Sequence, residues 1–374
     1  MKRDSEQARR ILIVRLSALG DVVHALPMLD ALRRARPEAH IGWLVEEKAA
    51  SLLEGHPQID RLWVAPRARI TALLRSGRLF AALRLLQGFV SELRDGGYDL
   101  VIDAHGNARS SVLAWCSGAG RRIGFAHGYA REGAGWLYTD RVVPEKPSQL
   151  KVQRALDLLR PLGVDVRGAR AVLGIPERTR AWARAQVQLL GGRPAVAIHP
   201  GVSGFGSIKQ WDPARFGRTA SRLFREHGAR CMVTWGPGER ELAERVIETS
   251  DGCARLGPET DSILALAALY QACDLVIGVD TGPLHLAAAL GVPVVGLYGP
   301  KDPAIYAPWD ARTGAAATVV RRSVYCSPCS RRTCGNVICM PAIQVGDVVA
   351  AARESLAGEP LHAARATGHQ VMAR

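Results

Sequence analysis

The chain has 374 residues, which exceeds one typical domain and suits two of about 170 residues each. Hydrophobic residues make up 48%, enough for two buried cores, which excludes a disordered or low-complexity chain. The net charge of +14 indicates an anionic partner, although a general bias toward Arg would give the same surplus. Because no zinc-finger, helix-turn-helix or RNA-binding motif is present, we expect no nucleic-acid partner.

The sequence shows no sign of a membrane-spanning segment or of a signal peptide. No apolar run approaches the roughly 20 residues that a bilayer crossing needs. The first ten residues, MKRDSEQARR, are charged and lead into a strand-like run instead of the apolar core of a signal peptide. We therefore expect a cytoplasmic protein. Eight Cys in such a chain are not expected to form a disulfide framework.

The first half alternates short apolar runs with helical segments. A glycine turn after the first run leads into an amphipathic helix over Val22–Arg36, and a second helix is predicted over Arg78–Arg94 unless Gly88 interrupts it. The predicted strands of this half are 11–16, 41–45, 61–65 and 100–104. This order is typical of βαβ units in a doubly wound parallel sheet.

The same rhythm restarts after a Gly-Pro segment near Leu173–Arg178, where we place the hinge. The predicted strands of the second half are 195–201, 230–236, 275–280 and 294–299. A closing helix is expected over 345–358, and the tail after Pro360 is expected to fray. The predicted division is 1–175 and 176–345, two Rossmann-like α/β domains facing across a cleft, then 346–374 as closing helix and tail.

A first candidate site lies in RLSALGDVVHALP (15–27), where a buried strand runs into a glycine turn and a helix. Asp21 stands at the start of that helix. It would be an ordinary N-cap, which Asp favours, or a general base at the mouth of the cleft. The two roles compete, because a carboxylate bonded to the helix is a poorer base.

A second candidate site lies in LVIGVDTGPLHLAAALGVPVVGLYGP (275–300). A buried strand ends at Asp280, Thr281 and Gly282, and Pro283 begins a helix whose first turn contains His285. A helix N-terminus behind a strand binds a pyrophosphate through its free N–H groups. A core histidine bonded to backbone is the alternative for His285.

Two further loops carry candidate polar residues. Lys209 follows a strand and a glycine-containing stretch, HPGVSGFGSIKQW, from which its charge can reach phosphate oxygens. Glu239 in TWGPGERE (234–241) can accept hydrogen bonds from a ribose. Solvated surface roles are the alternatives for both.

Four cysteines cluster near the C-terminus in YCSPCSRRTCGNVICM, with the spacing C-x2-C-x4-C-x4-C. Four close thiols in a reducing compartment suggest a structural zinc or iron site. Reduced thiols and a redox pair stay open as alternatives. The four residues are Cys326, Cys329, Cys334 and Cys339.

From about Ile11 to about Ala350 the chain resembles glycosyltransferase family 9, the bacterial heptosyltransferases of lipopolysaccharide core assembly. VDTGPLHLAAALGVPVVGLYGP is similar to the family's donor-binding signature, and ILIVRLSALGDVVHALP to its N-terminal signature. WLVEE (43–47) resembles the branch that adds the first heptose. The stretch Ser203–Ser207 departs from that branch.

The resemblance implies the GT-B fold, inversion at the anomeric carbon and no catalytic metal or other cofactor. It implies ADP-heptose as donor and Kdo-lipid A, in the inner leaflet of the inner membrane, as acceptor. The site residues it implies are Asp21 as catalytic base, Lys209 at the donor phosphates, Asp280, Thr281, Gly282 and His285 as donor-binding residues, and Glu239, by a looser match, near the donor ribose.

The acceptor would be anionic, so the excess of Lys and Arg over Asp and Glu would help to bind it. Acceptor-side candidates are Ser17, Arg67, Arg69 and Arg109. Arg67 and Arg69 share a basic stretch with Arg75, Arg78 and Arg84, which would bind those anions or an anionic membrane surface, making the protein peripheral. A solvated basic helix face is the alternative.

The sequence is also compatible with other functions. Within the family, the enzyme would add a later heptose or another sugar, or use a protein acceptor. Outside it, a nucleotide-sugar epimerase or hydrolase shares the two-domain plan. A non-catalytic nucleotide-sugar sensor or membrane scaffold is a third alternative, against which the presence of Asp21 argues.

Overall fold

The computed structural model describes residues 9–202, 206–329, 331 and 333–358. Within these ranges no helix combines the length and the apolar character that crossing a bilayer requires. The contacts divide the chain into two compact units. The first contains the described residues up to Ala181 together with Thr260–Ala268 and Ala304–Ala315, and the second contains the other described residues.

The first unit is built on a six-stranded parallel sheet in the order β3-β2-β1-β4-β5-β6. Its strands are β1 Arg10–Val14, β2 His40–Glu46, β3 Arg61–Ala65, β4 Leu100–Asp103, β5 Arg121–Phe125 and β6 Asp140–Val142. Its helices are α1 Leu19–Val23, α2 Leu26–Ala35, α3 Glu47–Ala50, α4 Arg67–Arg75, α5 Leu79–Asp95, α6 Ala108–Cys116 and α7 Lys151–Asp157.

The second unit repeats this plan. Helix α8, Glu177–Gln188, leads into the strands β7 Ala195–His199, β8 Arg230–Val233, β9 Ala254–Leu256, β10 Leu275–Val279 and β11 Val294–Leu297. Two short strands, β12 Trp309–Asp310 and β13 Ala315–Ala316, pair with each other, and β14 Thr318–Val320 completes the larger sheet. The remaining helices are α9 Pro213–His227, α10 Arg240–Glu248, α11 Ile263–Ala272, α12 Gly282–Ala289, α13 Pro303–Tyr306, α14 Cys339–Ala342 and α15 Val345–Leu356.

The second sheet has the order β14-β11-β10-β7-β8-β9. Counted from its own first strand, this is the same 3-2-1-4-5-6 order, read from the other edge, that dinucleotide-binding folds use. In each sheet the order reverses between two central strands, β1 and β4 in one and β7 and β10 in the other. Ligands of such sheets bind beyond the carboxyl ends of these strands. The prediction of an α/β fold with two Rossmann-like halves is therefore confirmed.

The central strands form because their side chains are apolar and β-branched and are covered on both faces. Every residue of β7 and β10 is buried. Trp211, Phe216 and Leu223 pack against the second sheet together with Val348 of the closing helix α15. Burial of such side chains, at about 25 cal/mol per Å² of apolar area, is the main stabilising term of both units.

The structure corrects the first predicted helix. Val22–Arg36 is not one helix, because α1 ends at Val23 and α2 begins at Leu26 with Pro27 in its first turn. Proline lacks the N–H that an unbroken helix would need there, but it fits a first turn. In contrast, α5 runs without a break through Gly88, and nothing approaches the place of a Cβ at that glycine.

Candidate active site

The first cluster of polar residues surrounds Asp21, beyond the carboxyl end of β1. Asp21 lies inside the first turn of α1, whose N-cap is Ala18, and it makes no capping bond. The N-cap alternative for Asp21 is therefore wrong. Its carboxylate contacts two cations instead, with Oδ2 at 2.8 Å from Arg15 Nη2 and Oδ1 at 2.6 Å from Lys151 Nζ.

These cations determine the ionisation of Asp21. Burial opposes the charged form, but the charges of Arg15 and Lys151 and the hydrogen bond with His24 outweigh it and hold the pKa of Asp21 well below its usual range. The side chain keeps 23% of its exposure, so it stays in reach of a ligand. Asp21 is thus an anion at every physiological pH.

Lys151 and Arg15 were not predicted from the sequence. Lys151 is the first residue of α7 and lies 130 positions from Asp21, and its Nζ also stands 4.8 Å from the centre of the Tyr306 ring. Arg15 follows β1 directly and donates to the carbonyl oxygen of Ala104, which holds it across the ends of β1 and β4. Arg15 lies near the end of a predicted strand, and this position alone could have identified it as a candidate site residue.

His105 belongs to the same cluster and lies in the loop after β4, which hydrogen bonds to Asp103 hold in place. Asp103, fully buried at the end of β4, accepts hydrogen bonds from the backbone N–H of His105 at 2.8 Å and of Gly106 at 3.0 Å, and from the Tyr138 hydroxyl at 2.7 Å. Burial and the nearby charge of Arg15 lower the pKa of His105 to about 3. The imidazole is therefore neutral beside Asp21.

Of the acceptor-side residues predicted, two meet on one carboxylate. Glu46 is buried at the end of β2 and lies 2.9 Å from Arg67 Nη1 and 3.0 Å from Arg109 Nη2. Arg69 is exposed on α4 and forms no ion pair within the described part of the chain, and Ser17 is half-buried in the loop before α1. Their role as acceptor-binding residues stays a prediction.

The second cluster surrounds Asp280, directly after β10. Lys209 Nζ lies 2.6 Å from Asp280 Oδ2 and donates to its backbone oxygen at 3.0 Å. Oδ1 of Asp280 lies 3.1 Å from His285 Nε2 and accepts from the Tyr298 hydroxyl at 3.2 Å. The structure thus joins three of the predicted donor-binding residues and adds Tyr298, which sequence reasoning missed.

Asp280 is more deeply buried than Asp21, with its side chain 8% exposed. Burial raises its pKa, but the hydrogen bond and charge of His285 and the charge of Lys209 lower it more, so the net shift is strongly downward. His285 is a buried histidine whose Nε2 contacts this carboxylate, so its ring is tied to the Asp280 side chain. The cluster is an ion pair with two further polar contacts.

The helix that follows Asp280 starts as predicted. Thr281 is the N-cap of α12, Gly282 is its first residue and Pro283 lies in its first turn. The Thr281 hydroxyl donates to the Val279 oxygen at 3.2 Å and does not cap the helix, so the first N–H groups of α12 receive no bond from that side chain. A helix end of this kind, beside the charge of Lys209, has the chemistry to bind an anion.

Glu239 follows β8 of the same sheet and is the N-cap residue of α10. Its carboxylate accepts from Gly236 N–H at 2.9 Å, and burial raises its pKa. It stands 3.7 Å from His199 Nε2, at the end of β7, whose pKa burial lowers to about 4. A Cβ on Gly201 would come within 2.2 Å of Glu239 Oε2, so only glycine at 201 allows this approach. Of the stretch that departs from the family pattern, Ser203–Phe205 lies outside the described residues.

The four clustered cysteines line one cavity of about 290 Å³, together with Ile208 and Pro300. All four are free, with Cys326 exposed and Cys339 buried. Among residues 9–202, 206–329, 331 and 333–358 no three His, Cys, Asp or Glu side chains are placed to hold one metal ion. A structural zinc or iron site is therefore not supported by the described part of the chain.

Known proteins share this fold and part of the sequence. Residues 87–338 match the model of glycosyltransferase family 9 (heptosyltransferase). The chain is 30% identical over 335 residues to lipopolysaccharide heptosyltransferase 1 of Pseudomonas aeruginosa, covering 87% of each, and 27% identical to lipopolysaccharide heptosyltransferase 3 of Escherichia coli, covering 78% and 82%. A family 9 glycosyltransferase structure from Veillonella parvula superposes with a TM-score of 0.77 at 27% identity, covering 96% and 99%. Escherichia coli heptosyltransferase WaaC with ADP gives 0.70 at 25%, covering 92% and 99%.

Proposed function

Because the chain belongs to glycosyltransferase family 9, the heptosyltransferases, we propose that it moves heptose from ADP-heptose to a Kdo hydroxyl of Kdo-lipid A. The chain is a glycosyltransferase of the GT-B fold, and heptose transfer in lipopolysaccharide core assembly is the activity of its named relatives. The main observation behind the proposed donor and acceptor is the pair of charged clusters around Asp21 and Asp280. Each lies beyond the switch point of its own sheet, the place where the strand order reverses.

The Asp280 cluster supports a diphosphate donor. Lys209 brings a positive charge to the N-terminus of α12, and both favour the oxygens of ADP. A structure of a relative with ADP and another with ADP-2-deoxy-2-fluoro heptose, at 25% and 26% identity, support a nucleotide-sugar donor here. Glu239, in the same unit, would accept hydrogen bonds from the donor ribose.

The Asp21 cluster supports the base. The acceptor hydroxyl attacks the anomeric carbon from the face opposite to ADP, its proton passes to Asp21, and the bond to the ADP oxygen breaks with inversion. ADP leaves as an anion, so no acid is needed for its departure, and Lys209 and the end of α12 stabilise the developing charge. A positioned base contributes about 10²–10⁴-fold to the rate.

Asp21 needs a change in its ion pairs before it can serve as a base. A carboxylate whose pKa is held far down by Lys151 and Arg15 accepts a proton poorly. An anionic acceptor competes for Lys151, which is 31% exposed. When the acceptor draws Lys151 away, the pKa of Asp21 rises. Lys151 is thereby a positioning residue that couples acceptor binding to the strength of the base.

The acceptor also accounts for location and charge. A phosphorylated and carboxylated acceptor in the inner leaflet of the inner membrane matches Arg67, Arg109 and the net charge of +14. We place the protein in the cytoplasm, in peripheral contact with that anionic surface. The division at 175/176 with a cleft between the domains stays part of the same proposal.

A second candidate is transfer of a later heptose, favoured by the 27% identity to lipopolysaccharide heptosyltransferase 3. A panel of acceptors separates the two. Purified protein with ADP-heptose is given Kdo-lipid A or a heptose-extended acceptor, and ADP release is followed. ADP release with Kdo-lipid A but not with the extended acceptor supports transfer to Kdo. ADP release only with the extended acceptor supports transfer of a later heptose instead.

The same panel tests the proposals from other classes. ADP release at an equal rate without any acceptor would contradict transfer and indicate hydrolysis. Donor binding by calorimetry with no release on any acceptor would indicate a non-catalytic nucleotide-sugar-binding or scaffold protein. A panel of other nucleotide sugars serves as the control for donor identity.

A further inference from the structure

A group of large apolar side chains lies uncovered on the first unit. Phe80 is 89% exposed, Leu79 62%, Leu83 51%, Leu74 50% and Leu86 39%. All lie at the end of α4 or in the first half of α5. We call these five residues the apolar patch.

The fold does not require this exposure. The second half of α5 packs in the usual way, with Leu93 buried in the core cluster of the first sheet and Phe89 against it. The first half of the same helix contributes only Ala82 to the buried residues. A helix that is half core-facing and half uncovered marks an interaction site, because soluble monomers seldom expose contiguous apolar side chains of this size.

Exposed aromatic side chains continue on the neighbouring elements. Helix α6 contacts α5 and the turn Ala134–Leu137 contacts α6. Trp115 on α6 is 54% exposed and Trp136 on the turn is 74% exposed. Tryptophan favours the boundary between a bilayer and water, where its apolar ring and polar N–H are both accommodated.

The charge around the apolar patch has one sign. Residues 61–91 contain six Arg and no Asp or Glu. Arg75, Arg78 and Arg84 are exposed within or beside the patch and form no ion pair in the described ranges. Arginines around an apolar face are typical of segments that lie in the interface of an anionic membrane.

We propose that the apolar patch and its arginines dock the protein on an anionic lipid bilayer, with Phe80 and the leucines among the headgroups. The proposal rests on the proposed function, because a lipid acceptor has to be met at the membrane. The geometry agrees, since α4 begins at Arg67, which binds Glu46 beside the acceptor-side residue Arg109. A second copy of this chain fits poorly, because its own arginines would face these.

The test is sedimentation with vesicles of phosphatidylethanolamine and phosphatidylglycerol, three to one, against pure phosphatidylcholine. The variants are Phe80→Ser with Leu83→Ser, and Arg75→Glu with Arg78→Glu. The matched controls are Leu189→Ser and Tyr325→Ser, which change side chains exposed by 65% and 93% outside the patch. Circular dichroism melts verify folding, which changes to exposed residues should leave intact.

We expect wild type and both controls to bind the anionic vesicles, with binding that weakens as salt rises. The affinity of each double variant for these vesicles should be lower than that of wild type by about tenfold or more. Wild type that stays in solution, or variants that bind like wild type, would overturn the docking surface. A dimer in sedimentation equilibrium that Phe80→Ser abolishes would also overturn it, in favour of a second copy.

Turnover of an acceptor sugar fragment without acyl chains separates this proposal from the proposed function. The double variant Phe80→Ser with Leu83→Ser should keep wild-type activity on that soluble fragment. If the protein turns over the fragment but does not bind vesicles, only the docking surface fails. If it binds vesicles through the patch but turns over no acceptor, only the proposed function fails.

Discussion

Asp21 and Asp280 are two carboxylates in the same kind of place, each beyond the switch point of a parallel sheet and each 2.6 Å from a lysine. Their other partners differ. Asp280 is 8% exposed and also contacts His285 and Tyr298, whereas Asp21 is 23% exposed and is held chiefly by cations. Asp280 is therefore a fixed anchor for Lys209, while the ion pairs of Asp21 can be exchanged for those of a ligand.

The largest expected effect comes from removing the base. Asp21→Asn should lower kcat for acceptor-dependent ADP release by about 10²–10⁴-fold, because the amide cannot take the proton. Donor affinity, measured by calorimetry, should stay unchanged, because Asp21 and the donor-side cluster belong to different units. Asp95→Asn, a change at an exposed carboxylate, is the control. An Asp21→Asn enzyme with wild-type kcat would remove Asp21 from the mechanism.

Replacing the donor-side cation should have the next largest effect. Lys209→Met should lower kcat/KM for the donor by about 10²-fold, since the charge that stabilises the leaving diphosphate is lost. Steady-state kinetics over a range of donor concentrations measure it. Lys146→Met, at an exposed lysine, should behave as wild type. Equal donor kinetics in the two variants would show that Lys209 serves only to pair with Asp280.

The anchor role of Asp280 is tested through stability. Asp280→Asn should lower the free energy of unfolding by about 3 kcal/mol at pH 7, because Lys209 loses its partner at a largely buried site. The pKa of Asp280 is lowered in the folded state, so its stabilisation is present above the ordinary carboxyl pKa of about 3.9 and is lost as pH falls below it.

Thermal melts of both proteins at several pH values measure this difference. The gap between wild type and Asp280→Asn should be constant from pH 8 to about pH 5 and should narrow below about pH 4. A gap that widens toward acid pH would contradict the assigned direction of the pKa shift.

The smallest activity effect is expected at Glu239. Glu239→Gln keeps the shape but weakens the hydrogen bonds to a ribose, so KM for the donor should rise by about fivefold with kcat little changed. The half-buried carboxyl, whose pKa burial raises, also becomes neutral as pH falls, so the wild type should approach the variant toward acid pH. A KM that does not respond would place the ribose elsewhere.

Much of the fold could be predicted because buried parallel strands are long apolar runs. The segments 41–45, 61–65, 275–280 and 294–299 correspond to β2, β3, β10 and β11 within one or two residues. Four strands of the two six-stranded sheets, β5, β6, β9 and β14, were missed because they lie outside the centre of each sheet and are polar or short. β5 begins with two arginines, and β6 and β9 have three residues each, which leaves little alternation or apolar length to detect.

The two clusters differed in how far the sequence predicted them. Asp280 and His285 are five positions apart, so one strand–turn–helix motif contains both, and Lys209 follows from the family resemblance. Lys151 contacts Asp21, and Arg109 contacts Glu46, only because the folded sheet brings distant parts of the chain together. No local sequence pattern connects the members of either pair. For the same reason the spacing of four cysteines could not tell whether their sulfur atoms converge.

The claim that the ion pairs of Asp21 are exchangeable is tested most directly by the pH profile of kcat/KM for the acceptor in Lys151→Met. Without that lysine, one of the two cations that lower the pKa of Asp21 is lost, so this pKa should rise and the acid limb should move upward by about one pH unit or more. Lys151→Arg should restore the wild-type profile, and Lys146→Met should leave it unchanged. Identical profiles in Lys151→Met and wild type would contradict the account, because Lys151 would then have no influence on the base.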